Sequence, residues 1–440
     1  MSPDGEHRIS PEQLQIGVYV YLDVGWMSHP FSFNNFKIRN EEQLGTIRSL
    51  GLASVRWDPA RSDVKPLPKG ATGDAATPPA DVAGAADKAA APESAVPAHP
   101  TAEFSEQMAI KRRRIEKLAT HHEAMGRVEQ AFTSAANVVR GINKSIHSQP
   151  EKTLSEAGQL ITNIVDELLA APELAIQVMT EKPGTEDVYF HSLNVSVLSM
   201  ILGRELKLPA DVVKTVGVGA LFHDIGLNEI PSKILNKTDP LTKAEREFRE
   251  MHCQYVYDIG KRVGLPPAVL NIIMQHHENF DGSGYPRKLK GEAIDPLARI
   301  VAIVNAYDNL CNPTSIASAL TPHEALSLMF AQQRARYDPR LLQAFIRFMG
   351  VYPPGTVVGL SNDALALVIK INSARPLKPI VIVHDEGIPR HEAMILDLDE
   401  EPDINVSRAI RPAQLPPAVF DYLSPRKRVS YYFDAMNAPT

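Results

Sequence analysis

The sequence contains only two cysteines, Cys253 and Cys311. Two cysteines cannot build a disulfide framework, and this scarcity fits a reducing compartment. No apolar run reaches the roughly 18 residues that a membrane-spanning helix requires. The N-terminal segment MSPDGEHRIS also lacks the charged-then-apolar pattern of a signal peptide. We therefore expect a cytoplasmic protein without a membrane span.

The chain has no excess of basic residues, since 46 lysines and arginines face 52 aspartates and glutamates. The net charge of −6 argues against a protein that binds nucleic acid through its overall charge. Hydrophobic residues make up 44% of the chain, which is ordinary for a globular protein. Its 440 residues are enough for two or three domains.

Residues 8–58 are predicted to form a small α+β module. Strand-forming residues dominate at 18–22, and the segment 53–57 is a second candidate strand. Between them, Asn40 is a suitable N-cap for a short helix over 41–49. A sensory or docking module and a simple packing appendage both fit this pattern.

Residues 59–103 are predicted to be a disordered linker, because Pro, Ala and Gly dominate and large apolar residues are almost absent. Residues 104–150 are predicted to form a long helix. The basic run at 111–114 is interpreted as its solvated face. The apolar heptad spacing within this helix indicates either a helical hairpin or the seam of a homodimer, through Leu118, Met125, Phe132 and Val139.

Residues 151–350 read as helical segments separated by proline and glycine signals. After Gly350 the segments TVVGLSNDALALVIKIN and KPIVIVHDE read as strands. The predicted fold class is therefore mainly α. A helical domain over 151–350 is followed by a short β extension and tail over 351–440.

Two adjacent histidines, His276 and His277, immediately precede the turn-rich loop DGSGYP. Successive positions on a helix are rotated by about 100°, so both rings can reach one point only where helical pairing stops. Imidazole and carboxylate groups are the ligands that hold iron, manganese or zinc. Further candidates for such a cluster lie upstream, at His191, His223, Asp224 and His252.

The run HHENFDGSGYP, preceded by FHDIG at 222–226, is similar to the motifs of the HD-GYP branch of the HD metal-dependent phosphohydrolases. The resemblance covers roughly residues 150–350. The pattern GVYVYLDVGWMSHPF resembles a domain of unknown function that is often fused ahead of HD-GYP domains. The resemblance implies an HD-type helical fold that hydrolyses cyclic di-GMP or a related cyclic dinucleotide with metal-activated water. It also implies two or three divalent ions, iron or manganese first, and docking of a GGDEF-domain cyclase at the GYP loop.

The resemblance assigns metal ligation to the six residues His191, His223, Asp224, His252, His276 and His277. Asp224 is the expected bridging ligand and, with His223, forms the expected catalytic pair. The substrate or docking loop comprises Gly284, Tyr285 and Pro286. Arg287 and Lys290 are candidate contacts to the substrate phosphates.

The sequence departs from the family pattern at five positions. Asp187 stands where three-metal members have a glutamate, and Asn305 replaces the last metal-binding aspartate. Leu227, Thr314 and Ala317 replace positively charged residues that are expected near the substrate phosphates. Two functions therefore stay open. One is a metal-dependent phosphodiesterase, weakened by these changes. The other is a degenerate module that binds a cyclic dinucleotide or a protein with little or no turnover.

Overall fold

The structure is a computed structural model of the chain. It describes residues 7–68, apart from 26, 27 and 32, and residues 102–423, apart from 147, 168–171, 173, 177–187, 236, 238, 314–318, 373, 387 and 412–413. These residues belong to two compact units. One comprises Met1–Ala119 with His384–Met394, and the other comprises Thr120–Val383 with Ile395–Thr440. Most of the expected linker at 59–103 lies outside the described residues.

The N-terminal module is a four-stranded antiparallel sheet with one helix. Its strands, in the order β1-β4-β2-β3, are β1 (Arg8–Ile9), β2 (Tyr19–Tyr21), β3 (Asn35–Lys37) and β4 (Val55–Asp58). Helix α1 (Glu41–Ser49) begins where the Asn40 side chain accepts a hydrogen bond from the Gln43 amide at 2.8 Å. Buried aliphatic side chains from both the sheet and the helix form its core, among them Leu14, Val20, Ile38, Ile47 and Val55.

The rest of the described chain is largely helical. Its helices are α2 (Ala102–Ser145), α3 (Pro150–Glu167), α4 (Val188–Glu205), α5 (Ala210–Phe222), α6 (Ser232–Leu235), α7 (Lys243–Glu250), α8 (His252–Arg262), α9 (Pro267–Gln275), α10 (Pro296–Cys311), α11 (Pro322–Ala331), α12 (Pro339–Met349) and α13 (Pro417–Leu423). Helices α10, α11 and α12 each follow an N-cap residue, namely Asp295, Thr321 and Asp338. Each then starts with a proline, whose missing N–H would have no helical partner there. Within the described residues, no helix combines the length and apolar character needed to cross a membrane.

Helix α2 buries the heptad stripe that the sequence predicts. Leu118, Met125, Phe132 and Val139 are all nearly inaccessible to solvent. From Met125 onward these side chains belong to one hydrophobic core shared with α3, α4, α5, α9 and α10. The stripe is therefore covered within a single chain and does not need a second copy as its partner.

The basic run near the start of α2 is not uniformly solvated. Arg112 and Arg113 are exposed, but Lys111 is only 2% exposed. The Lys111 ammonium group donates a hydrogen bond to the backbone carbonyl of His29 at 2.6 Å. The interpretation of this run as a solvated face is therefore wrong for Lys111, because the helix places this position against the N-terminal module.

The C-terminal segment forms the predicted β extension. Its five strands are β5 (Val357–Leu360), β6 (Leu365–Lys370), β7 (Ile380–Val383), β8 (Met394–Asp397) and β9 (Val406–Ile410), ordered β8-β7-β6-β5-β9. The turn between β5 and β6 contains Asp363 with a positive φ of 66°, a conformation that aspartate tolerates better than most residues. Residues 424–440 lie outside the described part of the chain.

Candidate metal centre

The six histidine and aspartate ligands predicted from the sequence meet at one place in the helical unit. They form two groups, and in each group the donor atoms lie within 4.8 Å of one another. One group is Asp224, His252, His276 and His277. The other is His191, His223 and Asp224. Asp224 therefore belongs to both groups.

The two carboxylate oxygens of Asp224 face different histidines. Oδ1 lies 3.3 Å from Nε2 of His252 and 3.6 Å from Nε2 of His276. Oδ2 lies 3.4 Å from Nε2 of His223 and 3.6 Å from Nε2 of His191. One carboxylate thus offers one oxygen to each group, which is the arrangement needed to bridge two cations.

A close backbone approach brings the Asp224 turn to this position. Helix α5 ends at Phe222, and a 3₁₀ turn begins after Asp224. A Cβ atom at Gly226 would lie 2.3 Å from the backbone oxygen of His252. Only glycine fits this contact, so the HDIG glycine allows the turn to pack against the start of α8 and places Asp224 beside His252.

The imidazole rings are oriented by backbone carbonyl groups. Three Nδ1 atoms each contact the carbonyl oxygen three residues earlier: His223 with Ala220 at 2.6 Å, His252 with Arg249 at 2.8 Å and His276 with Ile273 at 2.7 Å. A carbonyl oxygen only accepts hydrogen bonds, so Nδ1 donates and a neutral ring keeps its Nε2 lone pair. His223 and His276 follow the last residues of α5 and α9, where carbonyl groups lack helical partners. These contacts turn the Nε2 atoms toward Asp224.

His191 is oriented by a side chain from a distant part of the sequence. Its Nδ1 lies 2.7 Å from Oδ2 of Asp308, on helix α10. The other oxygen of Asp308 accepts hydrogen bonds from the side-chain amides of Asn194 and Asn312, at 2.9 Å each. The sequence did not assign a role to Asp308, and the order of the motifs carries no signal for this contact.

The electrostatics of the cluster keep its carboxylate ionised. Burial by itself would raise the pKa of Asp224, but the charge of His223 and the close contacts with His252 and His276 hold it well below its usual value. Burial lowers the pKa of His276 to about 4, which keeps that ring neutral near neutral pH. For His252, the effect of burial is outweighed by the close contact with the Asp224 carboxylate, and its pKa rises to about 10. The ionised Asp224 carboxylate thus stabilises positive charge on its neighbour His252, which indicates that the site also favours a metal cation.

Several atoms of the cluster fit a metal ion better than any protein partner. Within the described part of the chain, the buried Nε2 atoms of His191 and His223 and Oδ1 of Asp224 make no hydrogen bond. Leaving buried polar atoms without partners is costly, and a coordinated cation would satisfy all three. Imidazole combined with carboxylate suits a divalent transition metal.

The loop after His277 is held in place by a buried carboxylate. Glu278 is only 2% exposed, and its side chain accepts hydrogen bonds from the backbone amides of Arg287 and Leu289, at 2.6 and 2.9 Å. A Cβ atom at Gly284 would lie between 2.3 and 2.6 Å from the backbone of residues 277–279. The loop therefore folds back tightly onto the segment that carries His277.

Within this loop, Tyr285 stacks on the His277 ring, with centroids 4.5 Å apart and planes 24° from parallel. Its backbone amide also donates to the His277 carbonyl at 3.2 Å. Three later residues of the loop are exposed to solvent: Pro286, Arg287 and Lys290. The GYP segment thus supports one candidate ligand while it presents charge to solvent.

Of the five positions that depart from the family pattern, the structure describes two, Asn305 and Leu227. Asn305 is buried beside His191, and its Oδ1 accepts a hydrogen bond from Nδ2 of Asn309 at 2.8 Å. Leu227 is half-buried in the turn after Asp224. Asp187, Thr314 and Ala317 lie outside the described residues.

Comparison with known proteins identifies both parts of the chain. Residues 163–341 match the model of the HD domain family, and residues 6–157 match a domain of unknown function, DUF3391. A relative named cyclic di-GMP phosphodiesterase PA4108, from Pseudomonas aeruginosa, is 28% identical over 86% of this chain and 84% of its own length. The cyclic di-GMP phosphodiesterase response regulator RpfG of Xanthomonas campestris pv. campestris is 33% identical over 35% of this chain and 41% of its own length.

Among solved structures, the HDG"Y"P protein Bd1817 from Bdellovibrio bacteriovorus aligns with 78% of this chain and 99% of its own chain. Its sequence identity is 15% and its TM-score is 0.45. An HD domain implies divalent metal binding, and the histidine and aspartate cluster described above fits that expectation. The chain therefore matches a DUF3391 domain over residues 6–157 and an HD domain over residues 163–341.

Proposed function

We propose that this protein is a metal-dependent phosphodiesterase that hydrolyses cyclic di-GMP. The observation that carries the proposal is the Asp224 carboxylate, whose two oxygens face two separate groups of histidines. Such an arrangement is suited to a pair of metal ions that act together on a phosphodiester. Relatives named cyclic di-GMP phosphodiesterases support this choice of substrate over other phosphodiesters.

Divalent ions bound here would lower the pKa of water and stabilise the charge that develops on the phosphoryl group. The chain itself would supply the Asp224 carboxylate between the two groups and imidazole Nε2 donors on both sides of it, with the proton on His252 displaced when an ion binds. Carbonyl groups at helix ends keep the rings in position before substrate arrives, so little reorganisation is needed during the reaction. His223 and Asp224 stand next to each other at the junction of the two groups.

The metals we propose are two ions per chain, with iron or manganese preferred. Mixed imidazole and carboxylate ligation suits both metals. The candidate third-metal ligand Asp187 lies outside the described residues, so two ions account for the donors that the structure brings together. Iron-replete, anaerobic purification followed by elemental analysis tests this count. Fewer than about one ion per chain would contradict the two-metal assignment.

The substrate phosphates are proposed to meet the charges of Arg287 and Lys290 beside the GYP loop. Each charge-assisted hydrogen bond to a phosphate is worth about 1.5–3 kcal/mol. At position 227 the family pattern has a lysine, and we expect Leu227 to make KM roughly tenfold or more higher than a lysine there would. Leu227→Lys should therefore lower KM and leave kcat nearly unchanged, because such a bond acts equally on ground and transition states. Leu227→Met is the matched control and should change neither.

The exposed edge of the loop, at Pro286 and Arg287, is the surface we propose for docking of a GGDEF-domain cyclase. The ring of Tyr285 stacks on His277, whereas Pro286 and Arg287 are exposed and can contact a partner protein. Pulldown of a purified GGDEF domain by the wild-type chain, but not by an Arg287→Glu variant, would support this. Equal capture by both variants would contradict it.

The test of function is turnover of cyclic di-GMP by the metal-loaded full chain, with cyclic di-AMP and cyclic GMP-AMP as alternative substrates. We expect cleavage of cyclic di-GMP and its loss in Asp224→Ala, together with loss of bound metal. The competing function is a regulator that binds the dinucleotide without cleaving it. A fully metallated protein that binds cyclic di-GMP without measurable turnover would establish that alternative.

A further inference from the structure

The two groups of donors around Asp224 are unequal. The first metal position, defined here by His191, His223 and Asp224, has two imidazoles. The second metal position, defined by Asp224, His252, His276 and His277, has three imidazoles. Asp224 is the carboxylate of both, so the two positions share a single negative charge. Among the described residues, the first position therefore has fewer donors and no carboxylate ligand of its own, since Asp308 lies behind His191 at its Nδ1.

The residue beside the first position does not correct this imbalance. Asn305 lies next to His191 but carries a neutral amide. Its Oδ1 accepts a hydrogen bond from Nδ2 of Asn309 at 2.8 Å, and the same Nδ2 contacts the Asn305 carbonyl at 2.9 Å. The amide oxygen is thus shared with a donor one helical turn away, and it brings no negative charge. A carboxylate at this place would bring a full negative charge to the cation.

We propose that the two positions load in sequence. The second metal position binds tightly, whereas the first metal position binds weakly and exchanges its ion with the medium. This inference rests on the metal-dependent function proposed above and adds its regulation by metal supply. Changes around a metal ligand typically alter affinity 10- to 100-fold, and we expect the two dissociation constants to differ by about that factor. Hydrolysis would then follow the free concentration of divalent metal.

The test uses the full-length protein, stripped with a chelator and titrated with Mn²⁺ alone. Calorimetry should resolve two binding steps of about one ion each, separated 10- to 100-fold in dissociation constant. Electron paramagnetic resonance should show an isolated Mn²⁺ ion after the first step and a spin-coupled pair only after the second. Two ions that bind with equal affinity, or a coupled signal from the first addition, would overturn the proposal.

Variants establish which position fills first. His223→Ala removes a donor that belongs only to the first position, and His277→Ala removes one that belongs only to the second. We expect His223→Ala to retain the tight step and His277→Ala to lose it. The opposite pattern would overturn the assignment.

Asn305→Asp provides a test by gain of affinity, which a misfolded variant could not pass. It should tighten the weak step at least tenfold and leave the strong step nearly unchanged. The control is Asn163→Asp, which adds the same charge at an exposed position of helix α3. If Asn163→Asp tightens the weak step as much, the effect is general charge and the proposal fails. These measurements need no substrate, so they test metal loading separately from hydrolysis. If the ions bind in two steps but the protein does not hydrolyse cyclic di-GMP, the enzymatic function is refuted and sequential loading is not.

Discussion

The imidazole Nδ1 of His191 and the Oδ2 atom of Asp308 lie 2.7 Å apart, although 117 residues separate them in the sequence. A carboxylate behind a ligating histidine fixes the ring and makes its other nitrogen a stronger donor. Two amides hold Asp308 in turn, so its position is set before any ion binds. Asp308 is therefore a positioning residue for the first metal position.

We expect Asp308→Asn to weaken the first metal position by about 10- to 100-fold while the second position keeps its ion. Elemental analysis after dialysis against a metal buffer measures this directly. Asp258→Asn, on the exposed face of α8, is the control and should keep both ions. Unchanged binding of both ions in Asp308→Asn would show that the carboxylate does not support His191.

Gly226→Ala should disrupt the cluster through the backbone. The added methyl group would meet the His252 carbonyl oxygen at 2.3 Å, and this overlap can be relieved only if the turn moves away from α8. We expect a loss of about 1–3 kcal/mol in stability and lower metal content, because Asp224 moves with the turn.

The matched control for this change is Gly158→Ala in helix α3, where an added Cβ has no neighbour within 4 Å. Alanine is the better helix former, so this variant should be neutral or more stable by up to about 1 kcal/mol. Thermal unfolding compares the two proteins. Equal stability of both alanine variants would mean that the close approach at Gly226 is not required.

Glu278→Gln should loosen the GYP loop. An amide keeps one acceptor oxygen but turns an NH₂ group toward one of the two backbone N–H donors of Arg287 and Leu289. We expect a cost of about 1–3 kcal/mol and faster tryptic cleavage after Arg287 or Lys288. Glu292→Gln, at an exposed position nearby, should leave the cleavage rate unchanged. If Glu278→Gln is cleaved by trypsin no faster than the wild type, the Glu278 carboxylate does not hold the loop in place.

The N-terminal module should be labile to acid because of His29. Burial, together with the charge of Lys111, lowers the pKa of His29 from 6.5 to about 3. Between pH 6.5 and pH 3, His29 is therefore protonated in the unfolded chain but neutral in the folded module. The stability contributed by neutral His29 is complete above the unfolded pKa and is lost as the pH falls from about 6.5 toward 3. The cost is about 2 kcal/mol at pH 5.

Both tryptophans of the chain fall within residues 8–58 of the sequence, at positions 26 and 57, so tryptophan fluorescence can follow unfolding of this module in the intact protein. His29→Gln should flatten the pH dependence of the unfolding midpoint between pH 7 and pH 4. His323→Gln, in the helical unit, should leave it unchanged. A pH dependence that persists in His29→Gln would assign the acid lability to another group.

Local patterns predicted much of this protein. Heptad spacing predicted the buried stripe of α2, and Asn40 predicted the start of α1. The adjacent histidines at 276 and 277 indicated a point where helical pairing stops, and α9 does end at Gln275. These features depend on interactions within a few residues, such as caps and helical periodicity, so the sequence carries them directly.

The sequence by itself determined the helical character, the candidate ligands and the short loop that follows them. Only the tertiary structure decided which atoms face each other. It divided the ligands into two unequal groups around Asp224, joined His191 to Asp308 and buried Lys111 beside His29. These contacts depend on the packing of segments that are far apart in the chain. Spacing within a segment contains no information about that packing, because the chain that connects the segments can follow many paths.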